Sequence, residues 1–440
     1  MIKIESTTEL IESKGGLLLA GKIAVMAGLT KIQSAASKAA ANIIVSLFAI
    51  FMEGKTDFAS MDEKRRSIFF KQTLGLVIVY AKETVRLYCE KLASDEEGII
   101  GQLQGSSVKI ISNGPLHGIP IGKKEYMPVD VDNTGMNNSK TKKEGVSRTY
   151  LNFDGYNPIF AYVGKEGYML DCELRPGSQH CQNGTAAFIK GFLPRLHSLP
   201  FDKRYLFRLD AGNDAWDTLE VITKAGKGHY LILKRNKRKE SDLEWLKIAK
   251  KYGKRRKDRK GKTVWIGVVS KHPRKKKVVL SDVKCVFEVI ERKMDVYGER
   301  LLVPEIEVNT WWTNLKCKAE KVIELYHDHA TSEQFHSELK HDMGVERFAS
   351  GKFAVNKILL AIAMNAFNAL RLIGQYSIES EKESEVEQKH ERKRIGTVIR
   401  DFICVAGKFV RHARKLVFKI NHQDPVLPIF KKLYTALDFL

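Results

Sequence analysis

Several absences narrow the field before any motif is considered. The 440 residues include six cysteines, Cys89, Cys172, Cys181, Cys285, Cys317 and Cys404, and no CxxC pair. Scattered cysteines argue against a disulfide framework or a cysteine-rich zinc site, and they suit a reducing cytoplasm. The opening MIKIESTTEL has no apolar core, so no secretory leader is expected. The apolar run Ala39–Met52 (AAANIIVSLFAIFM) is too short to span a bilayer and reads as a buried helix. No membrane partner is therefore expected. No internal repeat is visible. Acidic residues are also short: 52 Asp and Glu face 74 Lys and Arg, a net charge of +22. Such an excess predicts a polyanion partner, most simply nucleic acid, bound in a salt-dependent way. Ribosomal and membrane-surface roles would carry the same sign.

The hydrophobic content of 43% is ordinary for a globular protein, and 440 residues predict two or three domains. Residues 1–120 read as a helical N-terminal domain, a candidate for binding DNA and equally for a simple docking role. In it Ala36–Met52 and Ser67–Leu92 carry apolar residues at helical spacing, and the glycine-rich Gly98–Gly118 reads as a linker. From Tyr126 the pattern changes. YMPVDVDNT alternates like a strand, and NPIFAYV, GKEG and YMLDCELR read as a hairpin. TAAFIKGFLPRLHSL is helix-like, KRYLFRLD a strand, DAWDTLEVITKA a helix capped by Asn213 or Asp214, and HYLILK a fifth strand. Three strands, helix, strand, helix, strand is the ribonuclease-H-like pattern of a mixed sheet flanked by helices.

That α/β core, residues 121–227 and 316–376, is interrupted by a basic β-rich insertion over 228–315. Residues 224–277 hold 22 Lys and Arg against four Asp and Glu. The run KKYGKRRKDRKGK, with Lys254, Arg255, Arg256, Lys257, Arg259 and Lys260, reads as a loop for phosphate contact. Trp311 and Trp312 are candidates to stack on an extruded base, although adjacent tryptophans are more often core and rim packing. After the core, 377–440 reads as a charged linker and a C-terminal subdomain.

The stretch Tyr326–Lys340 (YHDHATSEQFHSELK) has no proline or glycine and reads as one helix. Tyr326, His329, Glu333 and Lys340 then fall within an arc of about 60° along about 20 Å of it. Two further carboxylates stand at strand ends. Asp132 closes the first strand, and Asp210 closes the fourth, its neighbour in a ribonuclease-H-like sheet. Three converging carboxylates offer the hard oxygens that Mg²⁺ prefers, and two ions about 4 Å apart can drive phosphoryl transfer.

These residues carry a resemblance. The chain resembles the DDE transposases of bacterial insertion sequences, in the group with a β-rich insertion and the signature Y-x2-R-x3-E-x6-K. The spacing holds as Tyr326, His329, Glu333 and Lys340, with histidine in the arginine position. Asp132-Asn133-Thr134 resembles that group's D-x-T, and Arg208-Leu209-Asp210-Ala211-Gly212 its R-x-D-x-G. The resemblance spans roughly residues 120–375. It implies that Asp132, Asp210 and Glu333 are catalytic and hold Mg²⁺ or Mn²⁺, two ions in all. It implies cleavage at the terminal inverted repeats of an element, then attack of the freed 3′-OH on target DNA. Tyr326, His329 and Lys340 would contact DNA, with His329 offering one donor where arginine offers a fork. Double-stranded DNA and a homodimer on paired ends are the implied partners, in a cytoplasmic, nucleoid-associated bacterial protein.

Some positions stay open. Asp130 shares a strand face with Asp132 and could exchange roles with it, although the D-x-T context favours Asp132. Asp214 and Asp217 read as capping residues, Glu338 as solvated, and His336 as a packing or surface residue. Two other functions fit the same core: a nuclease that cuts without joining, and a non-catalytic DNA-binding relative.

Overall fold

The computed structural model describes residues 9–257, 261–295, 297–382, 391–412 and 415–438. Its spine is a ten-stranded mixed sheet. The first three core strands are β1 (Lys124–Asn133), β2 (Ile159–Val163) and β3 (Tyr168–Glu173), joined antiparallel. β4 (Tyr205–Leu209) lies parallel to β1 on its other side, and β5 (His229–Lys234) parallel to β4. The spatial order β3-β2-β1-β4-β5 is the ribonuclease-H-like arrangement expected from the sequence. Every residue of β2 and of β4 is buried, as befits central strands covered on both faces.

The insertion does not form a separate body. Its strands β6 (Lys254–Lys257), β7 (Lys262–Val269), β8 (Lys284–Met294) and β9 (Arg300–Thr313) extend the same sheet, because β9 pairs antiparallel with β5. The run expected to be a basic loop is accordingly the end of a helix followed by an edge strand. Lys254, Arg255 and Arg256 are exposed there, and a lysine- and arginine-rich edge also discourages pairing with another chain. Arg259 and Lys260 lie outside the described residues, as does the side chain of Lys257.

Helices cover the sheet. Those used below are α1 (Glu96–Ser112), α2 (Thr185–Ser198), α3 (Trp216–Lys224), α4 (Asp242–Tyr252), α5 (Ala319–His327), α6 (Thr331–Ser337) and α7 (Phe353–Lys382). α1 corrects the expected linker. Ile99, Leu103, Ile110 and Ile111 recur at helical spacing and are fully buried, and packing of that face outweighs the cost of the helix's glycines. α7 is the centrepiece. By length and composition Phe353–Ser380 could cross a membrane, but 83% of its most apolar window is buried inside the fold. Asn368 donates to Ser107 Oγ of α1 and to the Met169 carbonyl of β3, both at 2.8 Å, and accepts from Met169 N. Those bonds fix the register of α7 against sheet and helix together.

Glu338 was expected in solvent. It is fully buried and paired with Arg371 of α7, which is also fully buried. The chain ends are joined in space: Leu10–Glu12 pairs with Gly407–His412, itself paired with Lys415–Ile420. Phe69 of the N-terminal helices packs on Phe409 and Phe418 of this hairpin, at ring distances of 5.3 and 5.4 Å. Segments near the two ends of the chain thus pack on each other.

Candidate active site

Parallel pairing sets the site. Asp130 is the cross-strand partner of Arg208, and Val131 of Leu209, so the carboxyl ends of β1 and β4 emerge side by side. Asp132 and Asp210 therefore stand together where ligands usually bind in open α/β sheets. Asp132 accepts hydrogen bonds from Asn133 N at 2.8 Å and from Ser332 Oγ at 3.3 Å. Burial pushes its carboxyl up to about 6, the neighbouring charge of Asp210 adds to that, and His329 opposes it. Asp210 Oδ1 accepts from the Tyr326 hydroxyl at 2.8 Å, and burial together with Asp210 drives that phenol far above its ordinary range.

Glu333 comes from α6. The stretch Tyr326–Lys340 is not one α-helix as expected. It runs through α5, a tighter 3₁₀ turn at Asp328–Ala330, α6, and a wider π turn at Glu338–Asp342. The changes of pitch redistribute side chains that uniform periodicity places on one face. Glu333, His336, Ser337, Lys340 and His341 line a cavity of about 290 Å³ with Asp132, Thr134 and Asp210. Lys340 Nζ bonds Thr134 Oγ1 at 3.0 Å on its rim. His336 Nδ1 is 3.7 Å from Asp132 Oδ2, yet burial pushes its imidazole down to about 3, so it stands there neutral and makes no ion pair.

His329 is elsewhere. It was expected on DNA, but it is buried behind the cavity, with Nδ1 2.9 Å from Asp130 Oδ1. Arg208 holds both oxygens of that carboxylate at 2.6 Å and donates to the Leu325 carbonyl at 3.0 Å. Burial works against charge on Asp130, but Arg208 and then His329 outweigh it and hold the carboxyl below its ordinary range. Burial likewise opposes charge on His329, and Asp130 outweighs it and raises the imidazole. The histidine thus braces β1 against α5 and lacks the exposure a phosphate contact needs. Asp130 is committed to Arg208 and His329, while Asp132 faces the cavity.

Trp311 also departs from expectation. It is 1% exposed, its ring lies 5.7 Å from Tyr326, and Lys234 Nζ sits 4.3 Å over it, which leaves no face for a base. Trp312 is buried and donates to Asp214 Oδ1 at 3.0 Å. Asp214 also accepts from Asn236 N at 2.9 Å, so it ties β9 to the chain after β5, and Ala215 takes the N-cap position of α3. Asp217 lies in the first turn of α3 and pairs with Lys275.

Three carboxylates line one cavity, the hard oxygen donors that a divalent cation takes, and burial destabilises the charged form of one of them, Asp132. Among the described residues, no three His, Cys, Asp or Glu side chains are yet close enough together to hold an ion. A sheet of this order, with acids on the ends of two adjacent parallel strands, defines the ribonuclease-H-like class. Residues 117–440 match the family model described as Transposase DDE domain group 1, and the chain belongs to that family. No curated protein matches it in sequence. In structure it is similar to a piggyBac transposase in a synaptic complex with hairpin DNA, at 9% identity and a TM-score of 0.44, covering 88% of this chain and 76% of that one.

Two outcomes follow from the electrostatics. The ordinary Asp132 value of 3.8 is raised to about 6, so its negative charge costs stability in full above about pH 6, and the cost disappears as pH falls toward 3.8. In EDTA, Asp132→Asn should therefore be more stable than the parent chain at pH 8, by roughly 3 kcal/mol in denaturant titrations, with the gap closing by pH 4. A gap that is independent of pH would refute the assignment. His329→Arg places a second, longer cation in the buried slot beside Arg208, and should lose roughly 1–3 kcal/mol in denaturant titrations. Unchanged stability with faster DNA cleavage would mean that the guanidinium reaches DNA instead.

Proposed function

We propose that this chain is a DNA transposase that cuts at the ends of an insertion sequence and joins the freed 3′-OH to target DNA. The observation that carries this reading is that Asp132 and Asp210, at the ends of paired parallel strands, line one cavity with Glu333. Membership of the DDE family supports it. Asp132, Asp210 and Glu333 are the catalytic residues and would hold two Mg²⁺ or Mn²⁺ ions. The metal would supply the positive charge that activates an attacking hydroxyl and stabilises the leaving oxygen.

The protein's own groups do the positioning. Ser332 and Asn133 N orient the Asp132 carboxylate, and Tyr326 orients Asp210. Lys340, anchored to Thr134, places a cation at the rim of an otherwise acidic cavity, where a phosphate entering it is met. Terminal inverted repeats and target DNA are the proposed partners, with a homodimer bringing two ends together.

Strand transfer separates this reading from its rivals. Incubated with pre-cut ends of its own element and Mg²⁺ or Mn²⁺, the chain should give joined product. Asp132→Asn, Asp210→Asn and Glu333→Gln should each lower it by about 10³-fold or more while DNA binding persists. Cleavage without joining would make the protein a nuclease. Binding without either, unaffected by Asp210→Asn, would make it a non-catalytic relative.

The exposed basic edge strand is the proposed phosphate contact of the insertion. Replacing Lys254, Arg255 and Arg256 by glutamine should weaken binding across sequences and lower the slope of log K against log salt by about 0.9 per lost contact. An unchanged slope would assign the strand a different task.

A further inference from the structure

The aromatic residues that the sequence offered for base stacking, Trp311 and Trp312, are both buried. The cavity has another aromatic wall. Tyr150 lines it with the three acids and is 63% exposed, and the adjacent Leu151 is 50% exposed. Two large adjacent side chains left open to solvent, one of them lining a polar cavity, run against the burial trend of the rest of the core.

They are held there by a built turn. Thr149 N and Thr149 Oγ1 both donate to the Phe153 carbonyl at 2.8 Å, and Asn152 N donates to the Thr149 carbonyl at 3.1 Å. Asn152 adopts a left-handed conformation at φ 64°, which asparagine tolerates better than other side-chain-bearing residues. The flanking strand Asp154–Tyr156 pairs with Met136–Asn137, the segment that follows Asp132-Asn133-Thr134. A Cβ added to Gly135 would come within 2.7 Å of the Phe153 ring and 2.9 Å of Leu151, so the tip rests directly on that segment. Tyr150 is therefore tied rigidly to the strand that carries Asp132.

We propose that Tyr150 is a positioning residue that stacks on an unpaired nucleobase of the DNA strand being processed, and so sets the phosphate over Asp132, Asp210 and Glu333. The inference rests on the transposase reading above. A nucleobase is the occupant that the surroundings favour. The cavity lining joins three carboxylates to Lys340 and His341, so a phosphate is met by Lys340 while a flat, uncharged ring meets the exposed phenol. A base paired in duplex has no free face, so the nucleotide engaged is one released from its pair near the cleaved end.

The test uses the full chain and duplexes carrying the sequence that flanks its own gene, with 2-aminopurine at successive positions near the end, in metal-free buffer. The parent chain and Tyr150→Phe should change the emission at one position. Tyr150→Ala should abolish that change and weaken binding about tenfold, with an unaltered melting curve because the side chain is exposed. With metal restored, Tyr150→Phe should keep its cleavage and Tyr150→Ala should lose it mainly through a higher KM. If Tyr150→Ala matches the parent in emission and affinity while the parent cleaves, the stacking inference fails and the transposase reading stands. A parent chain that neither binds nor cleaves these ends overturns both.

Discussion

The buried pairing of Asp130 with Arg208 is the constraint on which the rest of the structure depends. It joins β1 to β4 at one parallel register position, and a slip of one residue there would turn Asp132 away from Asp210. Two nearly inaccessible charges are costly to bury, and their worth lies less in net stability than in specifying one arrangement. Removing either partner would leave the other charged and unpaired, at a cost of about 3–5 kcal/mol. Through Arg208 Nη1 and His329, the same pair holds the end of α5 and the turn that follows it, and with them the approach of Glu333. One ionic cluster thus aligns three segments that are distant in sequence.

Around that cluster, charge is divided by depth. Asp130 is neutralised by protein cations, whereas burial, with Asp210 adding to it, pushes Asp132 toward protonation. The contrast distinguishes an acid committed to the scaffold from one that faces the cavity. His336, neutral beside Asp132, supplies no such compensation.

How far this was legible in the sequence depended on the range of the interaction. The five core strands and their order followed from local alternation and turn chemistry, because each strand's burial pattern is written in its own residues. The acids at strand ends followed from the same pattern. What escaped was decided by distant partners. His329 looked like a surface residue because spacing alone cannot reveal that Asp130, 199 residues earlier in the chain, meets it in the core. Glu338 looked solvated because its partner, Arg371, lies 33 residues further on in α7. Glycines disguised α1 as a linker, and Trp311 looked available because nothing local announced Tyr326 and Lys234 on its faces. Tyr150 had no periodic signal at all, since it lies in a turn.

The most direct test of the account is anomalous diffraction from crystals of this protein soaked in Mn²⁺. The account predicts manganese bound between Asp132, Asp210 and Glu333, with Glu333 drawn toward the two aspartates and Asp130 still held by Arg208. Manganese ligated by Asp130, or three carboxylates that stay apart at saturating Mn²⁺, would contradict it.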